Sequence, residues 1–272
     1  MAETVIPDVI RVEHVAKRFG PVIALKDISI HLRKGEVLGL LGDNGAGKST
    51  LIKIMTGFIQ PDDGQIFVDE QQVRLRSVTY ARSLGIETVY QDLALINDLS
   101  VYHNMFLKRE KLLSPLPLLN NRKMRKEARA QLERIGVRIP SVDTEVGRLS
   151  GGQRQAITIA RAVSGNAKIL LLDEPLAAMG AKEGTLILEL INNLKQIGEV
   201  SIIMIAHNYA QVLEICDRVN MLQHGTITLD TQVKDTSLSE LNELVMREYR
   251  LEAAQAAKNG AKGENGLEKG AS

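Results

Sequence analysis

The sequence predicts an α/β fold in which helices wrap a parallel central sheet. Three mostly apolar stretches of strand length, residues 36–41, 168–172 and 201–206, are typical of strands buried on both faces. A stretch with apolar residues at helical spacing separates the last two strands. Alternation of strand, helix and strand indicates a parallel sheet covered by helices. The residues predicted to form the buried face of that helix are Leu186, Ile187, Leu190, Ile191, Leu194 and Ile197.

The other elements follow from shorter patterns along the chain. Residues 10–12 and 24–32 predict two early strands, residues 49–56 a helix after a glycine-rich turn, and residues 86–90 a further strand. A charged, helical stretch runs from about residue 100 to 135. Residues 113–121 interrupt it, because the two prolines there prevent a continuous helix. From residue 253 onward the chain is small, polar and glycine-rich, so we expect residues 251–272 to form a disordered tail.

Composition indicates an ordinary globular protein of one large or two modest domains. The chain has 272 residues, 44% hydrophobic and 25% charged, with a formal net charge of +1. This charge balance and the absence of tryptophan argue against a nucleic-acid surface, so we expect no nucleic-acid partner. The lone Cys216 cannot form an internal disulfide and is expected to be a buried apolar residue.

The chain shows no signal for entering a membrane. No apolar run approaches the roughly 18–20 residues that span a bilayer, and the N-terminus lacks the basic start and apolar stretch of a secretory signal. We therefore expect a cytoplasmic protein whose membrane role, if any, depends on another chain. We also find no internal repeat, which predicts one functional unit rather than two fused copies.

A phosphate-binding loop is the strongest motif. Residues 42–49 fit the pattern G-x-x-x-x-G-K-[ST], placed after a buried strand and opening a helix. Glycines let the backbone wrap a polyphosphate, so that amides at the helix N-terminus point at the anion. Lysine supplies a positive charge for the β- and γ-phosphates, and serine a hard oxygen ligand for Mg²⁺. The predicted ATP-binding residues here are Gly42, Asp43, Asn44, Gly45, Ala46, Gly47, Lys48, Ser49 and Thr50.

Two acids follow the apolar run 169–172. Asp173 and Glu174 therefore stand at the C-terminal end of a central strand, where ligands lie in open α/β sheets. We expect Asp173 to reach Mg²⁺ through water and Glu174 to polarise the water that attacks the γ-phosphate. A strand that ends in two solvated acids is common, so this interpretation depends on the phosphate loop.

A third motif resembles a family signature. Residues 149–155 read Leu-Ser-Gly-Gly-Gln-Arg-Gln and end 18 residues before Asp173. This stretch is similar to the signature motif of the ABC ATPase family, and its serine and glycine amides open a second helix N-terminus. In that family the motif caps the ATP held by the other subunit of a head-to-tail dimer. The resemblance therefore implies a homodimer in the presence of ATP, with Ser150, Gly151, Gly152 and Gln153 as nucleotide-binding residues.

The resemblance assigns roles to three further side chains. Gln91, 43 residues after Lys48, resembles the glutamine that contacts Mg²⁺ and the attacking water. His207, at the end of the strand 202–206, resembles the histidine that touches the γ-phosphate. Phe19 resembles the aromatic residue that stacks on adenine. By themselves, a solvated glutamine, a structural histidine and a core phenylalanine are the plainer interpretations; the order of the six features favours the functional ones.

The family also implies an architecture. We expect a P-loop NTPase core over about residues 8–91 and 164–230, with an N-terminal antiparallel β subdomain and an inserted α-helical subdomain over about 92–163. The ABC ATPase domain would then cover residues 1–250. One departure stands out, because Gly180 occupies the position at which the family usually has an aspartate that couples the two ATP sites. Coupling through this loop is therefore in question, whereas Glu174 is retained.

Four stretches, residues 90–95, 99–107, 178–183 and 206–208, resemble the ATPases of ribose, xylose and fructose importers. The resemblance implies ATP and Mg²⁺ as cofactors and separate integral membrane permease subunits as partners. An extracytoplasmic solute-binding protein would act indirectly, and the chain would lie peripherally on the cytoplasmic face of the inner membrane. Three alternatives stay open: an importer ATPase for another solute such as amino acids, a soluble ABC protein acting on ribosomes or DNA, and a regulatory module that binds ATP without hydrolysis.

Overall fold

The computed structural model describes residues 6–177 and 179–247. Within these residues one large sheet has ten strands, and a separate hairpin has two. The strands are β1 (Asp8–Phe19), β2 (Val22–Arg33), β3 (Val37–Leu41), β4 (Asp63–Val68), β5 (Gln71–Val73), β6 (Ile86–Val89), β7 (Leu112–Leu113), β8 (Leu118–Leu119), β9 (Ile169–Asp173), β10 (Ser201–Ile205), β11 (Arg218–Gln223) and β12 (Thr226–Gln232).

Besides a helical stretch at residues 238–247, seven α-helices accompany these strands in the described part of the chain. They are α1 (Lys48–Met55), α2 (Val78–Ser83), α3 (Val101–Phe106), α4 (Asn121–Arg134), α5 (Gly151–Val163), α6 (Ala181–Ile197) and α7 (Tyr209–Ile215). Two short 3₁₀ turns, Val146–Arg148 and Val233–Asp235, complete the set. No helix in these described residues is long and apolar enough to cross a membrane.

The large sheet has a parallel half and an antiparallel half, in the order β5-β4-β1-β2-β12-β11-β3-β10-β9-β6. Strands β11, β3, β10, β9 and β6 are parallel neighbours, whereas β5, β4, β1 and β2 pair antiparallel. The predicted fold class, a parallel central sheet with an N-terminal antiparallel β region and inserted helices, is confirmed. The carboxyl ends of β3, β9 and β10 meet at one edge of the sheet. The phosphate loop, the acid pair and His207 lie at these three strand ends.

Alternate residues of the central strands pack into two cores on opposite faces of the sheet. On β10, Ile202 and Met204 belong to the core beneath α3–α7, whereas Ile203 and Ile205 belong to the core that contains α1 and the antiparallel strands. All five residues of β10 are buried, as are those of β3. This explains why the sequence shows continuous apolar runs rather than alternation.

Two sequence expectations need correction. Leu186 was placed on the buried face of α6, but it is 45% exposed, while Ile187, Leu190, Ile191 and Leu194 are buried. Because α6 lies on the molecule's surface, its apolar stripe is narrower than the pattern predicted. The early strand predicted at residues 10–12 is also too short. It covers only the third to fifth residues of the 12-residue β1, whose last two residues are exposed.

The proline-containing interruption is confirmed as the break between α3 and α4. The chain there forms the small hairpin of β7 and β8, and the four leucines of these two strands are exposed. The division into a core at residues 8–91 and 164–230 and a helical subdomain at 92–163 stays a prediction. The tail predicted for residues 251–272 lies outside the described residues.

Candidate active site

The phosphate loop joins β3 to α1 and needs glycine at two positions. Gly42 has φ 142°, and a Cβ there would lie 2.1 Å from the Leu222 carbonyl oxygen. Gly47 has φ 113°, and a Cβ would lie 2.7 Å from the Ala24 carbonyl oxygen. A side chain at either position would meet backbone, which cannot move aside as a flexible side chain can. The loop conformation is therefore open only to glycine at both ends.

The N-terminus of α1 is free to take an anion. Its N-cap residue is Gly47, which has no side chain to accept from the first-turn amides, and the first turn contains no acid. Unpaired amides and the positive end of the helix dipole favour a negative group at this position. Asn44, Gly45 and Ser49 are exposed here. This end of α1 fits a phosphate.

Lys48 holds the loop from within. Its Nζ donates to the carbonyl oxygens of Gly42 at 2.6 Å and Asp43 at 2.8 Å, and the residue is 6% exposed. An ammonium has three N–H donors, so one remains for a ligand. Burial lowers the pKa of Lys48, and the nearby charges of Glu174, Asp43 and Asp173 oppose that shift. The structure thus brings Lys48 and the acid pair into one electrostatic cluster.

The acid pair lies at the end of β9, as the sequence predicted. Asp173 pairs with Ile205 of β10, and Glu174 follows with its amide donating to the Ile205 carbonyl at 3.1 Å. Burial, and then the charge of Glu174, raise the pKa of the Asp173 carboxyl; Lys48 acts in the opposite direction. Glu174 has φ 51°, a left-handed conformation that costs a non-glycine residue about 1–2 kcal/mol and is common at functional sites.

His207 completes this edge of the sheet. It follows β10, and its ring Nε2 lies 2.6 Å from Glu174 Oε1. A carboxylate only accepts, so the ring donates to it. His207 and Glu174, predicted from different motifs, are therefore direct partners. The contact holds the Glu174 side chain in one orientation beside the phosphate loop.

Gln91 and Phe19, two further predicted site residues, are both exposed. Gln91 follows β6 and is exposed, and within the described residues its side chain has no hydrogen-bond partner. Phe19 ends β1 and is 47% exposed, which excludes the alternative that it is a core residue. Lys17 Nζ lies 5.6 Å from its ring centroid. An exposed aromatic face is what stacking on a base requires.

The signature segment opens α5 with a capping box. Ser150 Oγ accepts from the Gln153 amide at 3.3 Å, and Gln153 Oε1 accepts from the Ser150 amide at 3.1 Å. The Gly152 amide donates instead to Glu183 Oε1 at 3.2 Å. The helix begins at Gly151, and Ser150 is its N-cap residue. Within the described residues none of these bonds reaches the phosphate loop, so the signature segment and the phosphate loop of one chain are not in contact through them.

An arginine-lined groove lies beside the segment that follows Gln91. It has a volume of about 550 Å³ and runs between α3, α5 and β6. Arg161 donates to the carbonyls of Leu93 and Ala94, and burial, followed by the charges of Arg109 and Arg82, lowers its pKa. Glu87 pairs with Arg82 at 3.3 Å. Arg161, Arg109 and Glu183 could not be predicted from local patterns, because each takes its role from a contact with residues far away along the chain.

The donor set fits Mg²⁺ shared with a phosphate ligand. Among the described residues no group of three or more His, Cys, Asp or Glu could hold a metal ion by itself. Mg²⁺ in nucleotide sites commonly uses one or two carboxylates, phosphate oxygens and water. The Asp173 carboxyl at the end of β9 and the Ser49 hydroxyl in the first turn of α1 are oxygens of this kind.

Comparisons with known proteins agree with this geometry. The family model described as ABC transporter matches residues 25–177. The chain is 45% identical over 238 residues to the xylose/arabinose import ATP-binding protein of Sulfolobus acidocaldarius, covering 88% of this chain and 94% of the relative. It is 40% identical over 233 residues to the fructose import ATP-binding protein of Rhizobium meliloti, covering 83% and 89%.

Two further similarities differ in extent. The ribose import ATP-binding protein of Chromobacterium violaceum is 39% identical over 84% of this chain, which spans only 45% of that relative. A solved ATP-binding cassette, dimeric and bound to ADP and Pi, superposes with a TM-score of 0.69 at 24% identity, over 82% of this chain and 98% of that one. At that identity the structure supports the fold alone.

The phosphate loop, the acid pair and the fold define an ATP-binding ATPase. The chain belongs to the ABC transporter family, as its match to the family model and its relatives show.

Proposed function

We propose that this chain is the ATP-hydrolysing subunit of an ABC importer for a sugar. The observation that carries the proposal is the Glu174–His207 contact, set beside Lys48 at the phosphate loop. The xylose/arabinose, fructose and ribose import proteins support a sugar as the solute. An importer for another solute, such as amino acids, is the alternative.

The reaction is phosphoryl transfer from ATP to water. The transition state spreads negative charge over the γ-phosphoryl oxygens, so catalysis depends on positioning and charge stabilisation. The α1 amides and Lys48 bind the phosphates, Glu174 orients and polarises the water, and His207 meets the γ-phosphate. Ser49, Asp173 and Gln91 would hold Mg²⁺, which supplies charge neutralisation when bound. Phe19 would stack on the adenine.

We propose a head-to-tail homodimer in the presence of ATP. The α5 N-terminus does not meet the phosphate loop of its own chain, so this helix end can face the phosphate loop of a second subunit. The solved cassette of similar fold is itself dimeric. The test is sedimentation of the Glu174→Gln protein with ATP. A strictly monomeric protein that binds ATP would contradict this part of the proposal.

The arginine-lined groove is the proposed docking site for the permease. Arg82, Arg109 and Arg161 surround it, while Glu87 is the acid that its lining contains. Charge complementarity favours an acidic segment of the membrane subunit. Arg161 also donates to the carbonyls of residues 93–94, close to Gln91, so a segment that binds Arg161 would act on the backbone that follows Gln91. On this proposal the chain lies peripherally on the cytoplasmic face of the membrane, and a solute-binding protein acts on the permease from the other side.

Transport in proteoliposomes tests the function. The chain would be reconstituted with the permease encoded beside it and the partner binding protein, and uptake of labelled xylose, ribose, fructose and leucine compared. We expect ATP-dependent uptake of one sugar, abolished by Glu174→Gln. Uptake of leucine but no sugar would favour the alternative importer. Uptake that is unchanged by Glu174→Gln would contradict the role of this residue.

A further inference from the structure

Glu183 places a carboxylate on the signature segment of its own chain. Its Oε1 accepts from the Gly152 amide at 3.2 Å. A Cβ on Gly151 would lie 3.5 Å from Glu183 Oε2, and one on Gly152 would lie 3.0 Å from Glu183 Cβ. The side chain therefore lies across both glycines, and their missing side chains make room for it.

The carboxylate is placed where two helix N-termini converge. Glu183 belongs to the first turn of α6, whose N-cap is Gly180 and therefore has no side-chain acceptor. It reaches across to the first turn of α5. Both helix ends carry partial positive charge, so both favour an anion at this point. Glu183 is thus an internal anion at the second helix N-terminus, while the first, at α1, has none.

The other first-turn donor of α5 is also engaged inside the chain. Gln153 N–H donates to Ser150 Oγ, so the Glu183 bond uses the Gly152 donor that the capping box leaves over. One N–H makes one strong hydrogen bond, and two anions at one helix end repel each other. A phosphate and the Glu183 carboxylate cannot both occupy the Gly152 amide.

We infer that Glu183 is an internal ligand of the signature segment, which must leave Gly152 before that amide binds the γ-phosphate of ATP held by a second copy of this chain. The inference rests on the proposed function, since it takes the head-to-tail dimer as given. Glu183 lies in the first turn of α6, the helix that follows the acid pair in the chain. Its charge sets the ATP concentration that closes the dimer.

The test measures ATP binding and dimerisation separately in a Glu174→Gln background. Adding Glu183→Gln keeps the shape of the side chain and removes its charge. We expect the ATP concentration for half-maximal dimer, read by sedimentation, to fall about tenfold, because a charge-assisted bond is lost from the open state. Binding of a fluorescent ATP analogue to the dilute monomer should stay unchanged. Glu189→Gln removes the same charge from an exposed position of α6 and should shift neither quantity.

Opposite results separate the possible failures. If Glu183 only holds α5 in place, Glu183→Gln and Glu183→Ala will raise the ATP requirement or leave it unchanged, which overturns the inference while the dimer stands. Thermal melting of each variant shows whether a raised ATP requirement comes from unfolding. If Glu183→Ala is unfolded, the result for Glu183→Gln alone tests the inference. If the Glu174→Gln parent binds no ATP, the proposed function fails and this inference with it. If the parent binds ATP without dimerising, the head-to-tail site fails and Glu183 has nothing to compete with.

Discussion

Glu174 Oε1 and His207 Nε2 are 2.6 Å apart, so the end of β9 and the end of β10 are joined by a direct side-chain hydrogen bond. The two residues are 33 positions apart in sequence, and parallel pairing of Ile205 with Asp173 brings them together. The backbone of Glu174 is in a left-handed conformation, and its N–H donates a hydrogen bond to the Ile205 carbonyl oxygen. One acid is therefore oriented from two sides at the edge of the phosphate loop.

His207→Ala should lower the rate of ATP hydrolysis by about 10²–10³-fold while ATP binding is retained. The variant loses a contributor to charge stabilisation and frees the Glu174 side chain. Steady-state phosphate release and binding of a fluorescent ATP analogue measure the two effects. His14→Ala is the control, since His14 is exposed and pairs with Asp27 on the antiparallel half. A hydrolysis rate close to wild type in His207→Ala would contradict the assignment.

Lys48→Ala should lose most of its nucleotide affinity. The change removes both the free N–H donor and the bonds that hold the Gly42 and Asp43 carbonyls in place. Equilibrium titration with an ATP analogue checks this. Lys53→Ala, on the same helix but one turn further on and exposed, should bind nearly as wild type. Unchanged affinity in Lys48→Ala would overturn the phosphate-loop interpretation.

Gly42→Ala should disrupt the loop and Gly180→Ala should not. Alanine at Gly42 meets the Leu222 carbonyl and must adopt a φ that L-residues avoid, at a cost of about 1–3 kcal/mol or more. Gly180 has φ −67° and no atom within 4 Å of a Cβ. Chemical denaturation and ATP binding compare the pair. Equal stability and equal binding of the two variants would show that the loop tolerates a side chain at Gly42.

Arg218→Met should destabilise the protein by about 3–5 kcal/mol. Arg218 and Glu36 are 3% and 7% exposed and hydrogen-bonded at 2.8 Å, so removing the cation leaves a buried carboxylate without its partner. Lys168→Met removes an exposed pair with Asp69 and should cost no more than about 1 kcal/mol. Urea denaturation measures both. A loss at Arg218 no larger than that at Lys168 would count against the buried pair.

Cys216 should resist alkylation while the protein is folded. The residue is 5% exposed, and burial raises the pKa of its thiol, so little of the reactive thiolate exists near neutral pH. Mass spectrometry after iodoacetamide treatment at pH 8 should show no adduct in buffer and one adduct in denaturant. Rapid labelling of the native protein would mean that the core around Cys216 opens readily.

Local patterns account for what could be predicted. The phosphate loop, the acid pair and the helix at Ser150 are contiguous, and their function follows from neighbouring backbone amides and side chains, so they can be identified without a fold. The buried thiol and the break at residues 113–121 were predicted for the same reason. The prediction that Leu186 is buried was wrong, because helical spacing shows which residues share a face of the helix but not how much of that face the neighbouring structure covers.

The sequence by itself determined the class of fold, the phosphate loop, the acid pair and the family. Only the tertiary structure decided that Glu174 and His207 touch, that Arg161 binds the carbonyls after Gln91, and that Glu183 reaches Gly152. The physical reason is the difference in range. Turn chemistry and helix N-termini depend on residues adjacent in the chain, whereas contacts between strand ends and helix ends depend on pairing and packing that no short stretch specifies.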